Sequence, residues 1–189
     1  NKENLTKYIW WDSQKIFEEI SNSEQYSDNL KKDFYIEELE SILQKAINLQ
    51  AKSSDMPVGC LLSGGIDSTL ITTLLQKDSS IPVQSYTLKF LENNGNFSLF
   101  DESIYANKIA NHLKTNHTEV TLEAKDLIEI IPKIGEVFSE PFSDASQVPT
   151  YIISKKIKEQ GISVVLSGDG GDEFFGGYNR HKLIPMIHS

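Results

Sequence analysis

Two glycine-rich segments, each entered from an apolar run, constrain the fold of this 189-residue chain more than any other feature. The first is LLSGGIDST at residues 61–69, and the second is VLSGDGGDE at residues 165–173. Short apolar runs are typical of buried strands, and glycines directly after a strand mark a tight turn. Ligands of open α/β sheets bind beyond the carboxyl ends of strands, so both segments are candidate parts of a binding site.

The rest of the chain alternates between strand and helix patterns. Strands are predicted at residues 58–62, 83–90, 118–122 and 164–166. Helices are predicted at residues 33–50, 70–76, 104–113 and 126–138, and a last helix follows the loop SEPFSDASQVPT and ends near residue 160. The segment ENNGNFSLFDES at residues 92–103 is predicted to be a loop. This succession favours an α/β fold with an open, mostly parallel twisted sheet and helices on both faces.

The charge balance narrows the range of partners. The chain carries 27 acidic and 18 basic residues, for a formal net charge of −9, whereas nucleic acids and anionic membranes require a basic face. Its apolar runs are too short to cross a bilayer, and Cys60 is the only cysteine, which we interpret as a small core residue. We therefore expect a cytoplasmic protein that binds neither nucleic acid nor membrane.

The first segment has the composition of an anion-binding loop. Gly64 and Gly65 allow the backbone to approach a ligand, and Ser63, Ser68 and Thr69 offer hydroxyl groups. The helix that follows directs its first N–H groups at the same place. These features predict a cradle for pyrophosphate, and the alternative is a plain tight turn between strand and helix.

Two familiar phosphate motifs fit neither segment. A Walker A loop requires Lys and then Ser or Thr after its second glycine, whereas Gly64 is followed by Gly65 and Gly176 by Gly177. A dinucleotide fingerprint that starts at Gly168 requires a glycine at position 173, which is a glutamate.

Carboxylates in both segments predict a metal ion. Phosphates repel Asp67 unless a cation lies between them, and Mg²⁺ prefers oxygen ligands, of which one or two are usually carboxylates. Asp67 and Asp172 would reach the same Mg²⁺ if the two strands that precede them are neighbours in the sheet. The alternative for Asp67 is a favourable charge at a helix N-terminus.

These residues also carry a family resemblance. SGGIDS at residues 63–68 matches the signature of the PP-loop ATP pyrophosphatases, which have an adenine nucleotide alpha hydrolase-like fold. LSGDGGDEFFGGYNRH at residues 166–181 resembles the second signature of the asparagine synthetase branch of that superfamily. The resemblance runs from about Leu39 to the end of the chain and includes YTLKF and EPFSDASQVPTYIISKKIK.

The resemblance implies a reaction and a set of site residues. A carboxylate is activated by ATP as an acyl-adenylate, and ammonia then displaces AMP, which converts aspartate into asparagine. The implied pyrophosphate-binding residues are Ser63, Gly64, Gly65, Asp67 and Ser68. The implied nucleotide contacts elsewhere are Leu61 and Leu88 at the adenine, and Ser167 and Gly168 at the adenylate.

The remaining carboxylates have separate implied roles. Asp172 would share Mg²⁺ with Asp67, and Asp169 would face the polar end of the substrate or the incoming ammonia. Glu173 is predicted to cap or brace the second loop.

The resemblance further implies a partner domain. Relatives obtain ammonia from a glutaminase domain with an N-terminal cysteine nucleophile, whereas this chain begins with Asn1. We interpret residues 1–32, whose Tyr8–Trp11 segment resembles the one after that domain, as a linker or docking segment. Residues 33–189 are interpreted as the synthetase domain, truncated at its C-terminus. We expect this chain to bind ATP and to be inactive alone.

Three other functions remain open. SEPFSDASQVPT also resembles asparagine synthetase-like proteins that amidate other carboxylates, such as sugar acids. Another adenylating enzyme, of GMP synthetase or β-lactam synthetase type, is an alternative, and LSGDGGDEFFGG argues against the former. The last alternative is a non-catalytic nucleotide-binding module.

Overall fold

A computed structural model describes residues 7–22, 32–91, 101–140, 143–179 and 181. Most of the predicted loop at 92–103 therefore lies outside the described residues. The chain divides into two compact units, Asn1–Ile42 and Leu43–Ser189. In the described ranges, no helix has the length and apolar character needed to cross a membrane.

The first unit contains helix α1 (Ser13–Ser21) and the beginning of helix α2 (Lys32–Lys52). Helix α1 begins after Asp12, whose Oδ1 accepts the backbone N–H groups of Gln14 at 3.1 Å and Lys15 at 3.2 Å. This is an ordinary N-cap, since it satisfies N–H groups that have no partner inside the helix. Tyr8 and Trp10 are 87% and 93% exposed. The assignment of residues 1–32 to a docking segment remains a prediction.

The second unit carries the sheet. Its strands are β1 (Val58–Leu61), β2 (Gln84–Phe90), β3 (Asn116–Leu122) and β4 (Val164–Leu166). Its helices, after the end of α2, are α3 (Ile66–Lys77), α4 (Ser103–Leu113), α5 (Ala124–Ile130), α6 (Ile134–Val137), α7 (Gln147–Glu159) and α8 (Gly171–Phe175). The predicted strands and most of the predicted helices are confirmed to within a few residues.

All four strands are parallel, in the order β3-β2-β1-β4. In the register of the central strand, Cys60 lies between Ser85 of β2 and Leu166 of β4. Strands β1 and β4 are therefore neighbours, which is the condition that the shared metal site required. The two glycine-rich segments follow these adjacent strands at the same edge of the sheet.

Separate cores lie on the two faces of the sheet, as predicted. On one face, Cys60 packs with Leu74 and Leu75 of α3 and with Ile47 of α2. The core on the other face contains Tyr86, Val120 and Leu122 of the sheet, Ile152, Ile153 and Ile157 of α7, and Ile162. Alternate residues of a strand point to opposite faces, so a strand that is covered on both sides carries apolar residues on both faces.

One helix prediction is wrong, because residues 126–138 do not form one continuous helix. Residues 126–138 form the end of α5, a 3-10 turn at Ile131–Lys133 and the short helix α6. Pro132 causes the break because proline has no N–H to donate to the preceding turn and its ring crowds that turn. At the next boundary, Gly161 adopts φ +83°, which ends α7 as the sequence predicted.

Candidate functional site

A cleft of about 950 Å³ lies at the carboxyl edge of the sheet. All of the sequence-predicted site residues except Gly64 line it, namely Leu61, Ser63, Gly65, Asp67, Ser68, Leu88, Ser167, Gly168, Asp169 and Asp172. Strands β1 and β4 bring the two segments to this edge because they are adjacent and parallel. The residues predicted from the two motifs thus surround a single space.

The first loop is held by its own hydroxyl groups. The backbone N–H of Ser63 donates to Ser68 Oγ at 3.2 Å, and the two serine hydroxyls lie 2.9 Å apart. Ser68 Oγ also donates to the carbonyl oxygen of Gly65 at 3.3 Å, and the Gly65 N–H donates to Ser63 Oγ at 3.2 Å. The loop is preorganised by these bonds before any ligand binds, which is the arrangement that favours anion binding at low entropic cost.

The two glycines of the first loop have different surroundings. Gly64 has φ +87°, and a Cβ placed on it would lie 2.6 Å from Tyr105 Cβ and 2.9 Å from the backbone N of Ala106. Its missing side chain therefore makes room for helix α4. Among the described residues, a Cβ on Gly65 would meet only Ser63 Oγ, at 3.3 Å, and Gly65 itself lines the cleft. The sequence alone gave both glycines the same role.

The second loop is in direct contact with the first. A Cβ on Gly168 would lie 2.9 Å from the backbone N of Ser68 and 3.0 Å from Asp67 Cβ. A Cβ on Gly171 would overlap the Asp67 carboxylate. The absence of side chains at these two positions lets the acidic loop close on the N-terminus of α3, with Asp67 between the loops.

Within the second loop, Asp169 is oriented by a serine. Ser167 Oγ donates to Asp169 Oδ2 at 2.9 Å, and the chain then turns at Gly170, which has φ +91°. The N–H of Gly171 donates to the carbonyl oxygen of Gly168 at 3.1 Å and closes the turn. Asp169 is thereby held at the cleft wall.

The other two carboxylates lie on α8 and contact the turn that follows it. The Asp172 carboxylate fills the space next to Gly177, where a Cβ would lie 2.6 Å from Asp172 Cγ. The Tyr178 hydroxyl donates to Glu173 Oε1 at 2.6 Å. The prediction that Glu173 braces this loop is confirmed, although the sequence did not identify Tyr178 as its partner.

The polar wall of the cleft is acidic. Among the described lining residues the ionisable side chains besides Tyr86 and Tyr178 are Asp67, Glu102, Asp169, Asp172 and Glu173, and none is Lys, Arg or His. A phosphate ligand would be repelled by this wall unless a cation accompanied it. Anion binding here requires a metal ion or basic groups outside the described residues.

The carboxylates of the cleft suit a Mg²⁺ ion that is bound partly by the protein and partly by a phosphate ligand. Within the ranges that the structure describes, no cluster of three or more His, Cys, Asp or Glu side chains could hold a metal alone. Mg²⁺ does not need such a cluster, because it commonly takes one or two carboxylates and completes its octahedron with water and substrate phosphates. Asp67 and Asp172 line the cleft from the two contacting loops and could supply those carboxylates.

The other wall of the cleft is apolar. The side chains that line it pack into the core on one face of the sheet, namely those of Leu61, Tyr86, Leu88, Phe90 and Ile153. Leu88 lies inside β2 rather than at its end, since the strand continues to Phe90. Tyr86 and Phe90 share its face of the strand and could have been found by strand alternation. Glu102 and Thr150, which line the cleft from other elements, carried no sequence signal.

A thiol and an ion pair near the sheet have structural roles. Cys60 is fully buried, and burial raises the pKa of its thiol to about 11, which confirms its interpretation as a core residue. Lys89 Nζ pairs with Glu119 Oε2 at 2.9 Å, and this hydrogen bond is the main cause that lowers the pKa of the Glu119 carboxyl. Neither group is available for chemistry in the cleft.

Comparison with known proteins identifies the family of this chain. The family model described as asparagine synthase matches residues 38–188, which include both loops. Asparagine synthetase (glutamine-hydrolyzing) 1 of Bacillus subtilis is 31% identical over 152 residues, covering 80% of this chain and 23% of the relative. Asparagine synthetase B (glutamine-hydrolyzing) of Escherichia coli is 32% identical over 156 residues, covering 76% of this chain and 28% of the relative.

The chain thus spans about a quarter of the length of these curated relatives. Among solved structures, the glutamine-dependent NAD+ synthetase of Acinetobacter baumannii in complex with ADP superposes with a TM-score of 0.51 at 19% identity. That match covers 82% of this chain and 29% of the synthetase, and it shows that the two share the PP-loop fold. With most of its length matched by the family model, this chain belongs to the asparagine synthase family.

Proposed function

We propose that this chain is the ATP-binding part of an enzyme that amidates a carboxylate through an acyl-adenylate and releases AMP and pyrophosphate. The substrate is aspartate, the product is asparagine, and the ammonia comes from glutamine. The observation that carries this proposal is the direct contact between the loops SGGIDS and SGDGGDE at the carboxyl edge of β1 and β4. The names of the B. subtilis and E. coli relatives support the substrate.

The cleft divides in a way that suits ATP. The apolar wall at Leu61 and Leu88 accepts the adenine, and Ser167 and Gly168, which also line the cleft, contact the adenylate. The N–H groups at the start of α3 and the hydroxyl groups of Ser63 and Ser68 face the pyrophosphate. When bound, Mg²⁺ would be held by Asp67 and Asp172 and would neutralise charge on the phosphate oxygens.

The chemistry proceeds in two displacements. An oxygen of the substrate carboxylate attacks the α-phosphorus, the bond to the bridging oxygen breaks, and pyrophosphate leaves with the electron pair. Ammonia then attacks the acyl carbon, loses a proton, and AMP leaves. The preorganised N–H groups of the first loop stabilise charge that develops on the leaving pyrophosphate, which is where a catalyst gains most. Asp169 faces the substrate side.

Ammonia must come from another part of the protein in this scheme. The sole cysteine, Cys60, is fully buried in β1 and cannot act as a glutaminase nucleophile. We therefore propose a glutaminase domain as the partner, with residues 1–32 as the segment that docks to it and residues 33–189 as part of the synthetase domain. We also propose a cytosolic location, because the reaction uses ATP and a chain with one cysteine requires no oxidising compartment.

The test is pyrophosphate release by the full-length protein with ATP, Mg²⁺ and ammonia. Aspartate is compared with a panel of other carboxylates, including sugar acids, and with no added carboxylate. We expect release that depends on aspartate and on Mg²⁺. Release with a sugar acid and none with aspartate would mean that the reaction is assigned correctly and that its substrate is the sugar acid. ATP binding without release under any condition would support a non-catalytic module instead.

A further inference from the structure

Two neighbouring glycines, Gly176 and Gly177, follow helix α8 and differ in what requires them. Gly176 has φ +74°, a conformation that L side chains rarely adopt, while a Cβ on it would have ordinary contacts with His181 at 3.6 and 3.9 Å. Gly177 has no such positive φ, so its backbone conformation is open to other residues. A Cβ on Gly177 would instead overlap Asp172 Oδ1 and lie 2.6 Å from Asp172 Cγ.

The Asp172 carboxylate thus occupies the space where residue 177 would have its side chain. The backbone fixes this relation, because the N–H groups of Gly176 and Gly177 both donate to the Asp172 carbonyl oxygen at 3.1 Å. Alanine at position 177 would leave those bonds in place but would force the Asp172 side chain to rotate away. The substitution would therefore change the direction of the carboxylate and leave the backbone of the turn in place.

We propose that Gly177 is a positioning residue for Asp172: by lacking a side chain it sets the direction in which this carboxylate enters the cleft. The inference rests on the proposed function, in which Asp172 binds Mg²⁺ together with Asp67. It assigns the two glycines different roles. Gly176 permits the turn, and Gly177 orients a metal ligand.

The test uses Mn²⁺ as a spectroscopic substitute for Mg²⁺ in the full-length protein, with binding followed by electron paramagnetic resonance and unfolding by thermal melting. Residues that orient a metal ligand typically change metal affinity by about 10- to 100-fold when altered, and we expect Gly177→Ala to weaken Mn²⁺ binding about tenfold. Gly176→Ala is the matched control. It should lower the melting temperature, since alanine is strained at positive φ, and change Mn²⁺ affinity by less than about twofold.

A double variant keeps the test valid if Gly177→Ala alone folds poorly. When Asp172→Ala has removed the carboxylate, the overlap is gone, and a Cβ at position 177 keeps only a close contact of 3.1 Å with the Cβ of residue 172. Adding Gly177→Ala to Asp172→Ala should therefore lower the melting temperature by less than it does in the wild type and leave the residual Mn²⁺ affinity unchanged, and the double variant should fold even if the single variant does not.

Three outcomes would overturn the proposal, and they can be told apart. If Asp172→Ala weakens Mn²⁺ binding but Gly177→Ala does not, or if Gly177→Ala lowers the melting temperature equally with and without the Asp172 carboxylate, Gly177 does not position Asp172. If Asp172→Ala itself leaves Mn²⁺ binding at the wild-type level, the metal role of Asp172 in the proposed function fails, and the inference fails with it.

Discussion

The two loops of the cleft begin alike and continue differently. The first leads into α3, a helix of 12 residues that buries Ser68, Thr72, Leu74 and Leu75. The second leads into α8, which has 5 residues and buries none of them. The first loop is part of the core of the second unit, while the second is held by turns, by its contact with the first loop, and by the residues after it.

This difference separates stability from function. Substitutions at the hydrogen-bonded serines of the first loop should disturb folding and binding together, because their hydrogen bonds are partly buried and the helix that follows packs on the sheet. Substitutions in the second loop should mainly disturb the site, since few buried contacts depend on it. The two closing glycines, Gly168 and Gly171, are exceptions because they contact the first loop.

The largest expected effect is a loss of pyrophosphate release when either of two carboxylates, one from each loop, is removed. Asp67→Ala and Asp172→Ala, one in each loop, should each reduce Mg²⁺-dependent pyrophosphate release by at least about 100-fold, as loss of one preorganised charge-stabilising contact commonly does. Their melting temperatures should stay close to that of the wild type, since neither side chain is buried. Near-normal release by either variant would mean that its carboxylate does not hold the metal ion.

The second effect concerns the contact between the loops. Gly168→Ala would bring a methyl group against the backbone of Ser68 and should destabilise the protein by about 1–3 kcal/mol, as overpacking does. Chemical denaturation measures this loss. Gly65→Ala is the control, because its methyl group points into the cleft. It should leave stability nearly unchanged and weaken ATP binding, and a reversal of this pattern would contradict the assigned geometry.

The third effect is a difference in stability between serine variants of the two loops. Ser68→Ala removes hydrogen bonds to Ser63 and Gly65 that lie in a partly buried loop, and it should cost about 1–2 kcal/mol of unfolding free energy. Ser167→Ala removes an exposed bond to Asp169 and should cost less than about 0.5 kcal/mol. Similar losses for both variants would show that the second loop is as integral to the fold as the first.

The smallest effect is expected at the brace of the second loop. Tyr178→Phe removes an exposed hydrogen bond to Glu173 and keeps the ring, so the unfolding free energy should fall by about 0.5 kcal/mol. A loss above about 2 kcal/mol would mean that this hydroxyl has a structural role comparable to that of Ser68.

The sequence predicted the sheet and the position of the two motifs at its edge because these patterns are local. Apolar runs identified β1, β2 and β4, and SGGIDS with SGDGGDE identified both loops. The neighbours of the motifs were not predictable in the same way. That Gly64 faces α4 while Gly65 faces the cleft depends on where a helix from residue 103 onward packs. That Gly177 borders Asp172 depends on how the chain returns after α8. Glu102 lines the cleft only because α4 begins there.

The most direct test of the central claim, that the two loops form one metal-dependent site, is a double-mutant cycle on Asp67 and Asp172. Pyrophosphate release by the full-length protein is measured for the wild type, Asp67→Ala, Asp172→Ala and the double variant across a range of Mg²⁺ concentrations. If both carboxylates hold one ion, removing the second after the first should cost little more, so the double variant should be about as impaired as either single variant. Losses that multiply, as they do for independent sites, would contradict the account.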